Sequence, residues 1–318
     1  MKTLDVTIAS TYPLLGTLTL PATGAGKHPA VLFLHGSGPI DRNSDAKGMP
    51  LGVFKLLAEQ FGKNGFASLR YDKRGIGASG GDYHATGMYD LVDDAVEAVR
   101  FLKTQPDIDP DRIFLVGHSE GAILAPQVFE REPVAGLVLL AGIAESLRTT
   151  VDRQNEIAFQ ELGEMTGLKG LLIRLLRVVP LARKSNQKMF AKILASTADT
   201  IRLKGAKVNA KWFREHYQYD VRDTLAKVTC PTIAITGSKD IQVLPEQAQQ
   251  IAEATAGPSE WHIIEDLTHI LRKEPGRATL LSLKTSYKRL SQLPIDAELT
   301  EMVLAWLRKQ AATDQPTA

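Results

Sequence analysis

Among 318 residues there is a single cysteine, Cys230, so no internal disulfide can form and nothing in the chain calls for an oxidising compartment. Aromatic residues are few, at 6%, and no apolar run approaches the length of about eighteen residues that a membrane-spanning helix needs. The opening MKTLDVTIAS lacks the charged start, apolar stretch and small-residue cleavage site of a secretory signal, so the expected address is cytoplasmic. Charge of one sign is missing too. A formal net charge of +2 is too small to draw the whole molecule to nucleic acid or to an anionic membrane, which leaves only local patches for such contacts. The seven histidines have no paired spacing suited to zinc, so no metal site is expected.

What is present is a globular composition, 44% hydrophobic, with strand and helix patterns in alternation. Leu4 to Ala9 and Thr17 to Leu20 alternate like half-buried strands, and Ala30 to Leu34 is the solid apolar run of a strand covered on both faces. Phe54, Leu57, Ala58 and Phe61 recur at helical spacing until Asn64-Gly65. Phe66 to Tyr71 reads as a strand, Leu91 to Leu102 as a helix, Arg112 to Val116 as a strand, Ser119 to Arg131 as a helix, and Gly136 to Leu140 as a strand. Such alternation predicts a doubly wound α/β fold with a mostly parallel sheet.

The rhythm stops after Gly142. Residues 143–219 show no strand-like run and read as several helices; from Glu145 to Asp220 there are 14 Lys or Arg against 8 Asp or Glu, while the remainder of the chain is slightly acidic. The expected organisation is therefore a core of residues 1–142 and 220–310, a helical insertion at 143–219, and a frayed tail at 311–318. The βα rhythm resumes with a strand at Thr232 to Thr236, a helix from Pro245 to Thr255, a strand at Glu260 to Glu265 and a helix from Asp296 to Lys309.

Gly117-His118-Ser119-Glu120-Gly121 sits where a predicted strand meets a predicted helix. A serine in that tight turn projects its hydroxyl above the sheet edge, the glycines let backbone pass close by, and the helix N-terminus offers the Glu120 N–H to an oxyanion. A nucleophile at Ser119 requires partners elsewhere. His35-Gly36-Ser37-Gly38 follows the apolar strand and offers a second backbone donor near Ser37. Asp240 follows Thr232 to Thr236, and His269 follows the last strand, whereas His262 lies within that strand. The order Ser119, Asp240, His269 is the order this architecture requires. Asp266 and Asp220 are rival acids.

With those motifs the chain resembles the α/β-hydrolase family, and in particular bacterial esterases and peptidase-like hydrolases with an HGSGP loop, here His35 to Arg42, and a GHSEG elbow. Tyr71-Asp72-Lys73-Arg74-Gly75-Ile76-Gly77-Ala78-Ser79 and Cys230-Pro231 add to the likeness. The resemblance implies a helical cap over the active site and hydrolysis of a carboxylic ester or related acyl bond in a small-molecule substrate. Ser119 would attack, His269 would move the proton and Asp240 would hold the imidazole, with no metal or organic cofactor. Thioesterase and aminopeptidase-type amide cleavage would use the same groups, and a non-catalytic binding protein on the same fold is the alternative of a different class.

Other features read less sharply. Gly75 to Gly80 matches GxGxxG but does not open the first βαβ unit, so no dinucleotide is expected. Asp72 and Arg74 are expected to brace their loop as an ion pair, Asp41 and Arg42 to border the pocket or lie in a solvated loop, and His35 and His118 to be packed. In the insertion, Leu171, Leu172, Leu175, Leu176, Val178 and Val179 are candidates for a face above an acyl pocket, although an apolar face packed on the core with its charges in water is the reading favoured over one that meets a membrane surface or an anionic substrate. Trp212, Phe213, Tyr217 and Tyr219 are expected either to wall the pocket or to pack in the core.

Overall fold

The computed structural model describes residues 1–22, 26–276 and 279–312. Eight strands form one sheet: β1 (Lys2–Ile8), β2 (Leu14–Leu20), β3 (His28–Leu34), β4 (Ala67–Tyr71), β5 (Ile108–His118), β6 (Gly136–Leu140), β9 (Thr232–Gly237) and β10 (Ser259–Ile264), while β7 (Thr200–Leu203) and β8 (Ala206–Asn209) form a separate hairpin. Their order across the sheet is β1-β2-β4-β3-β5-β6-β9-β10. β1 and β2 run antiparallel to each other, and β2 to β4, while every other neighbouring pair is parallel. Between the strands come α1 (Val53–Lys63), α2 (Met88–Lys103) and α3 (Glu120–Arg131).

Both faces of the middle strands are covered, which is why they read as continuous apolar runs. Successive side chains point to opposite faces, so Ala30, Leu32 and Leu34 of β3 join one core with Leu115 of β5 and with α2 and α3. Val31 and Phe33 join the other, with Phe114 and Val116 of β5, α1, and the last helix α11 (Ala297–Ala312). Phe33 is fully buried between Phe54 and Phe61, with ring centres at 4.7 and 5.8 Å. Truncating such a side chain costs roughly 3–5 kcal/mol. Asn64 and Gly65 end α1 as expected, Gly65 at φ 88°.

Residues 143–219 leave the sheet between β6 and β9. They form α4 (Leu147–Gly163), α5 (Gly167–Leu175), α6 (Val178–Ala195), a hairpin of β7 (Thr200–Leu203) and β8 (Ala206–Asn209), and α7 (Ala210–Gln218). The hairpin corrects the all-helical expectation. Its strands are four residues each, with one basic residue apiece, too short for alternation to register, and the available signal was Lys204-Gly205, both left-handed at φ 49° and 86°, in a tight two-residue turn. Ser146 caps α4 and Asn209 caps α7 by accepting backbone N–H groups of Thr149 and Trp212.

The chain then returns through α8 (Val221–Leu225) to β9, and α9 (Gln247–Ala254), α10 (Leu283–Leu290) and α11 follow. Ala311 and Ala312 complete α11, and the rest of the expected tail, 313–318, lies outside the described residues. Among the described residues no helix is long and apolar enough to cross a membrane.

Candidate active site

Ser119 stands between β5 and α3 with φ 56° and ψ −115°, a conformation that L side chains avoid. Two glycines make the turn possible. A Cβ at Gly121 would lie 1.9 Å from the Leu34 carbonyl oxygen, and one at Gly117 would lie 2.4 Å from the Gly121 oxygen. The Ser119 N–H donates to the Leu140 carbonyl at 2.9 Å, which ties the turn to β6.

His269 lies in the loop after β10, with its Nε2 3.0 Å from Ser119 Oγ and its Nδ1 2.7 Å from Asp240 Oδ2. A carboxylate only accepts, so Nδ1 carries the hydrogen and Nε2 presents its lone pair to the hydroxyl. The second Asp240 oxygen accepts the backbone N–H groups of Gln242 and Val243 at 2.8 and 2.9 Å, which fixes the carboxylate plane. The acid loop and the histidine loop are sewn together: Lys239 N–H donates to Leu267 O, Asp266 N–H to Ser238 Oγ, and a Cβ at Gly237 would sit 1.9 Å from the Leu267 oxygen. Arg272 is fully buried and donates to the carbonyls of Ile270, Leu293 and Leu51, holding the histidine loop against two other segments. His118 Nε2–H donates to the His269 carbonyl at 2.7 Å. Burial, reinforced by His269, pulls the His118 imidazole down to about 4, so this histidine is neutral packing as expected.

The rival acids are engaged elsewhere. Asp266 faces Lys239 at 3.9 Å, and Asp220 caps α8 and pairs with Arg222.

Ser37 and Glu120 both line a cavity of about 110 Å³ above Ser119. Among the described residues, neither backbone N–H has a protein acceptor. Sequence reasoning missed what orients the first of them. Lys73 Nζ donates to the Gly36 carbonyl at 2.6 Å and to Glu120 Oε2 at 2.8 Å. Gly36 O and the Ser37 N–H belong to one trans peptide plane and point in opposite directions, so an ammonium that grips the oxygen sets the direction of the N–H.

Glu120 is 3% exposed. Burial pushes its carboxyl up, but the Lys73 ammonium and His216 outweigh that and hold it down to about 2. Trp212 Nε1–H donates to Glu120 Oε1. His216 Nε2 lies 3.2 Å from the same oxygen, close but poorly aligned for a hydrogen bond. The inserted helix α7 thus reaches the residue beside the serine. No sequence signal marks Lys73 as buried; charge alone suggests an exposed loop residue.

Ile123, Ile143, Val243 and, from α4, Leu147, Thr150, Val151 and Gln154 also contribute to the cavity wall. Several expectations are corrected here. Leu171, Leu172, Leu175, Leu176, Val178 and Val179 do not line it. Of the insertion's aromatics only Trp212 does: Phe213 and Tyr217 pack on Phe190, with ring centres at 5.6 Å from it, and Tyr219 joins the core. Asp72 and Arg74 do not pair with each other. Asp72 binds Arg42 at 2.8 Å, and Arg74 binds Asp94 at 2.6 Å, because the glycine loop between them curls back over Asp72, with a Cβ at Gly77 only 2.4 Å from its Oδ2. His35 is buried against Phe54 and Tyr71, and burial and Lys73 pull its imidazole down to about 3. Cys230 is buried and its thiol is pushed up to about 12, far from a reactive thiolate.

Fold and sequence together define a serine hydrolase of the α/β-hydrolase class. Residues 47–276 match the serine aminopeptidase (S33) family, and the chain belongs to it. Esterase EstD of Thermotoga maritima is 27% identical over 307 residues, 96% of this chain and 67% of that protein. In structure the chain is similar to Est1E of Butyrivibrio proteoclasticus, solved with ferulic acid, at a TM-score of 0.63 and 18% identity over 97% of this chain and 100% of that one. It is also similar to the proline iminopeptidase of Mycobacterium smegmatis, at a TM-score of 0.63 and 15% identity over 97% and 99%. At those identities the likeness is one of fold.

Proposed function

We propose that the chain hydrolyses carboxylic esters of small to medium acyl groups through an acyl-enzyme on Ser119. Neutral His269 takes the Ser119 proton as Oγ attacks the acyl carbon, and Asp240 stabilises the imidazolium that forms. The oxyanion rests on the N–H groups of Ser37 and Glu120, the first aimed by Lys73. His269 then protonates the departing alcohol, and water, activated by the same imidazole, releases the acid. Residues 143–219 cap the cavity, with α4 and α7 facing the acyl group. The observation that carries this reading is the unbroken relay of 3.0 and 2.7 Å from Ser119 through His269 to Asp240.

Ester cleavage is favoured over aminopeptidase action by one electrostatic fact. A free amino terminus needs an unpaired carboxylate near the serine, and the carboxylate that borders the cavity, Glu120, is already neutralised by Lys73. The esterase name of the Thermotoga relative points the same way. A thioester would use the same groups. The test is turnover of p-nitrophenyl esters of graded chain length beside a thioester and an aminoacyl anilide, with fluorophosphonate labelling. Labelling confined to Ser119 and esters turned over fastest is the expected result; an anilide preference, or labelling that survives Ser119→Ala, sinks the proposal.

A further inference from the structure

α5 carries its apolar stripe outward. Leu168, Leu171, Leu172 and Leu175 recur at i, i+3, i+4 and i+7, the spacing that ordinarily faces a core, yet they are 74%, 47%, 48% and 68% exposed. Leu176 and Leu181, at the elbow into α6, are 64% and 62% exposed. Within α5 only Gly170 is buried. Scattered surface leucines need no explanation, but a continuous outward row on one helical hairpin does.

Charge says what covers it. Residues 165–198 hold seven Lys or Arg and no Asp or Glu. Arg183 pairs with Glu156, whereas Lys169, Arg174, Arg177, Lys184, Lys188 and Lys192 have no carboxylate partner among the described residues. A second copy of the chain seated on this face would set like charges against like. An anionic lipid surface supplies both complements, acyl chains for the leucines and headgroup phosphates for the cations around them. The charge difference between this hairpin and the slightly acidic remainder gives the molecule a preferred orientation as it approaches.

We propose that the α5–α6 hairpin is a peripheral docking surface for anionic lipid, with the exposed leucines embedded at the headgroup boundary and the unpaired Lys and Arg residues on the phosphates. The hairpin packs on α4, which lines the cavity, so docking brings the cavity's inserted wall close to the lipid. This inference does not depend on which acyl bond the enzyme cleaves.

The experiment is co-sedimentation of the full chain with vesicles of phosphatidylglycerol mixed into phosphatidylcholine, against phosphatidylcholine alone, at low and high salt. Binding is expected on the anionic vesicles and is expected to weaken with salt. Leu172→Ser/Leu175→Ser/Leu176→Ser should weaken it by about tenfold or more, and each of Arg174→Gln and Arg177→Gln by about fivefold, with circular dichroism and melting temperature unchanged because these side chains are exposed. Absence of binding to anionic vesicles, equal binding to both vesicle types, or a leucine variant that binds like the parent would overturn the proposal. So would a dimer that the leucine variant turns into a monomer in a chain that ignores vesicles, since the face would then belong to a second copy.

Discussion

The helix behind the serine and the first helix of the insertion are built on opposite plans. In α3, nine of twelve residues are buried, whereas in α4, Thr150 alone of seventeen is. A helix packed like α3 cannot shift without opening the core, so the turn it supports is held in its strained conformation by the surrounding mass. The insertion is held instead by separate polar tethers: Trp212 to Glu120, Gln154 Nε2 to the Gln242 carbonyl at 2.7 Å, Lys211 to Asp90 at 2.7 Å, and Asn209 to the carbonyls of Tyr83 and Thr86. Each is worth about 1 kcal/mol net, so the wall over the cavity can change at small cost while the chemistry beneath it cannot. Rate should therefore be sensitive to changes in the core, and substrate choice to changes in the insertion.

The largest test of that contrast is Ser119→Ala, expected to lower turnover by about 10⁴-fold or more while leaving the melting temperature within a few degrees, because alanine keeps the same backbone strain. Next is Lys73→Met. Releasing the Gly36 carbonyl lets the Ser37 N–H turn away, and kcat should fall about 10²–10³-fold with little change in KM. The same change strands the Glu120 carboxylate, at a cost of about 3–5 kcal/mol in chemical denaturation. Adding Glu120→Gln should recover most of the stability and little of the rate, which separates aim from packing. If the double variant regains full turnover, Lys73 is a structural counter-ion and nothing more.

Acidity probes the same region more gently. His118 and His35 are pulled down to about 4 and about 3 by burial, so below the ordinary histidine range the unfolded chain binds protons that the folded chain refuses. Stability is then full above pH 6.5 and is lost as pH falls through the folded values, by about 3 kcal/mol for His118 alone. Glu120, held at about 2, adds to the loss below pH 4.5. Urea midpoints measured from pH 7 to pH 4 should fall steadily, and His118→Gln should flatten the slope. A pH-independent midpoint would mean that these rings are solvated.

What the sequence made legible follows from the same contrast. Strands buried on both faces leave continuous apolar runs, and a strained serine turn needs glycines at set distances, so β3, β5, β9 and the order Ser119, Asp240, His269 could be read from the chain. Buried charge could not. Lys73 and Arg272 look like any surface cation until the fold closes over them, and the exchange of partners between Asp72, Arg42, Arg74 and Asp94 depends on how a glycine loop folds back. The insertion misled most, because helical periodicity reports that a helix has an apolar stripe without saying which way it faces: Leu171 and Leu175 look like core and point outward.

The smallest expected effect lies at the seam between the two regions. Trp212→Phe keeps an aromatic wall but removes the indole N–H from Glu120 Oε1, leaving that oxygen with only the poorly aligned His216 Nε2 beside it. Lys73 still neutralises the carboxylate, so the loss should be about 1 kcal/mol in urea denaturation, with kcat within about threefold of the parent. KM should rise more for long acyl chains than for acetate, because Trp212 lines the cavity and Ser37, Ser119 and His269 do not depend on it. A kcat loss as large as that of Lys73→Met would show that α7 sets the geometry of the elbow itself. The insertion would then be part of the reaction machinery, not an adjustable wall above it.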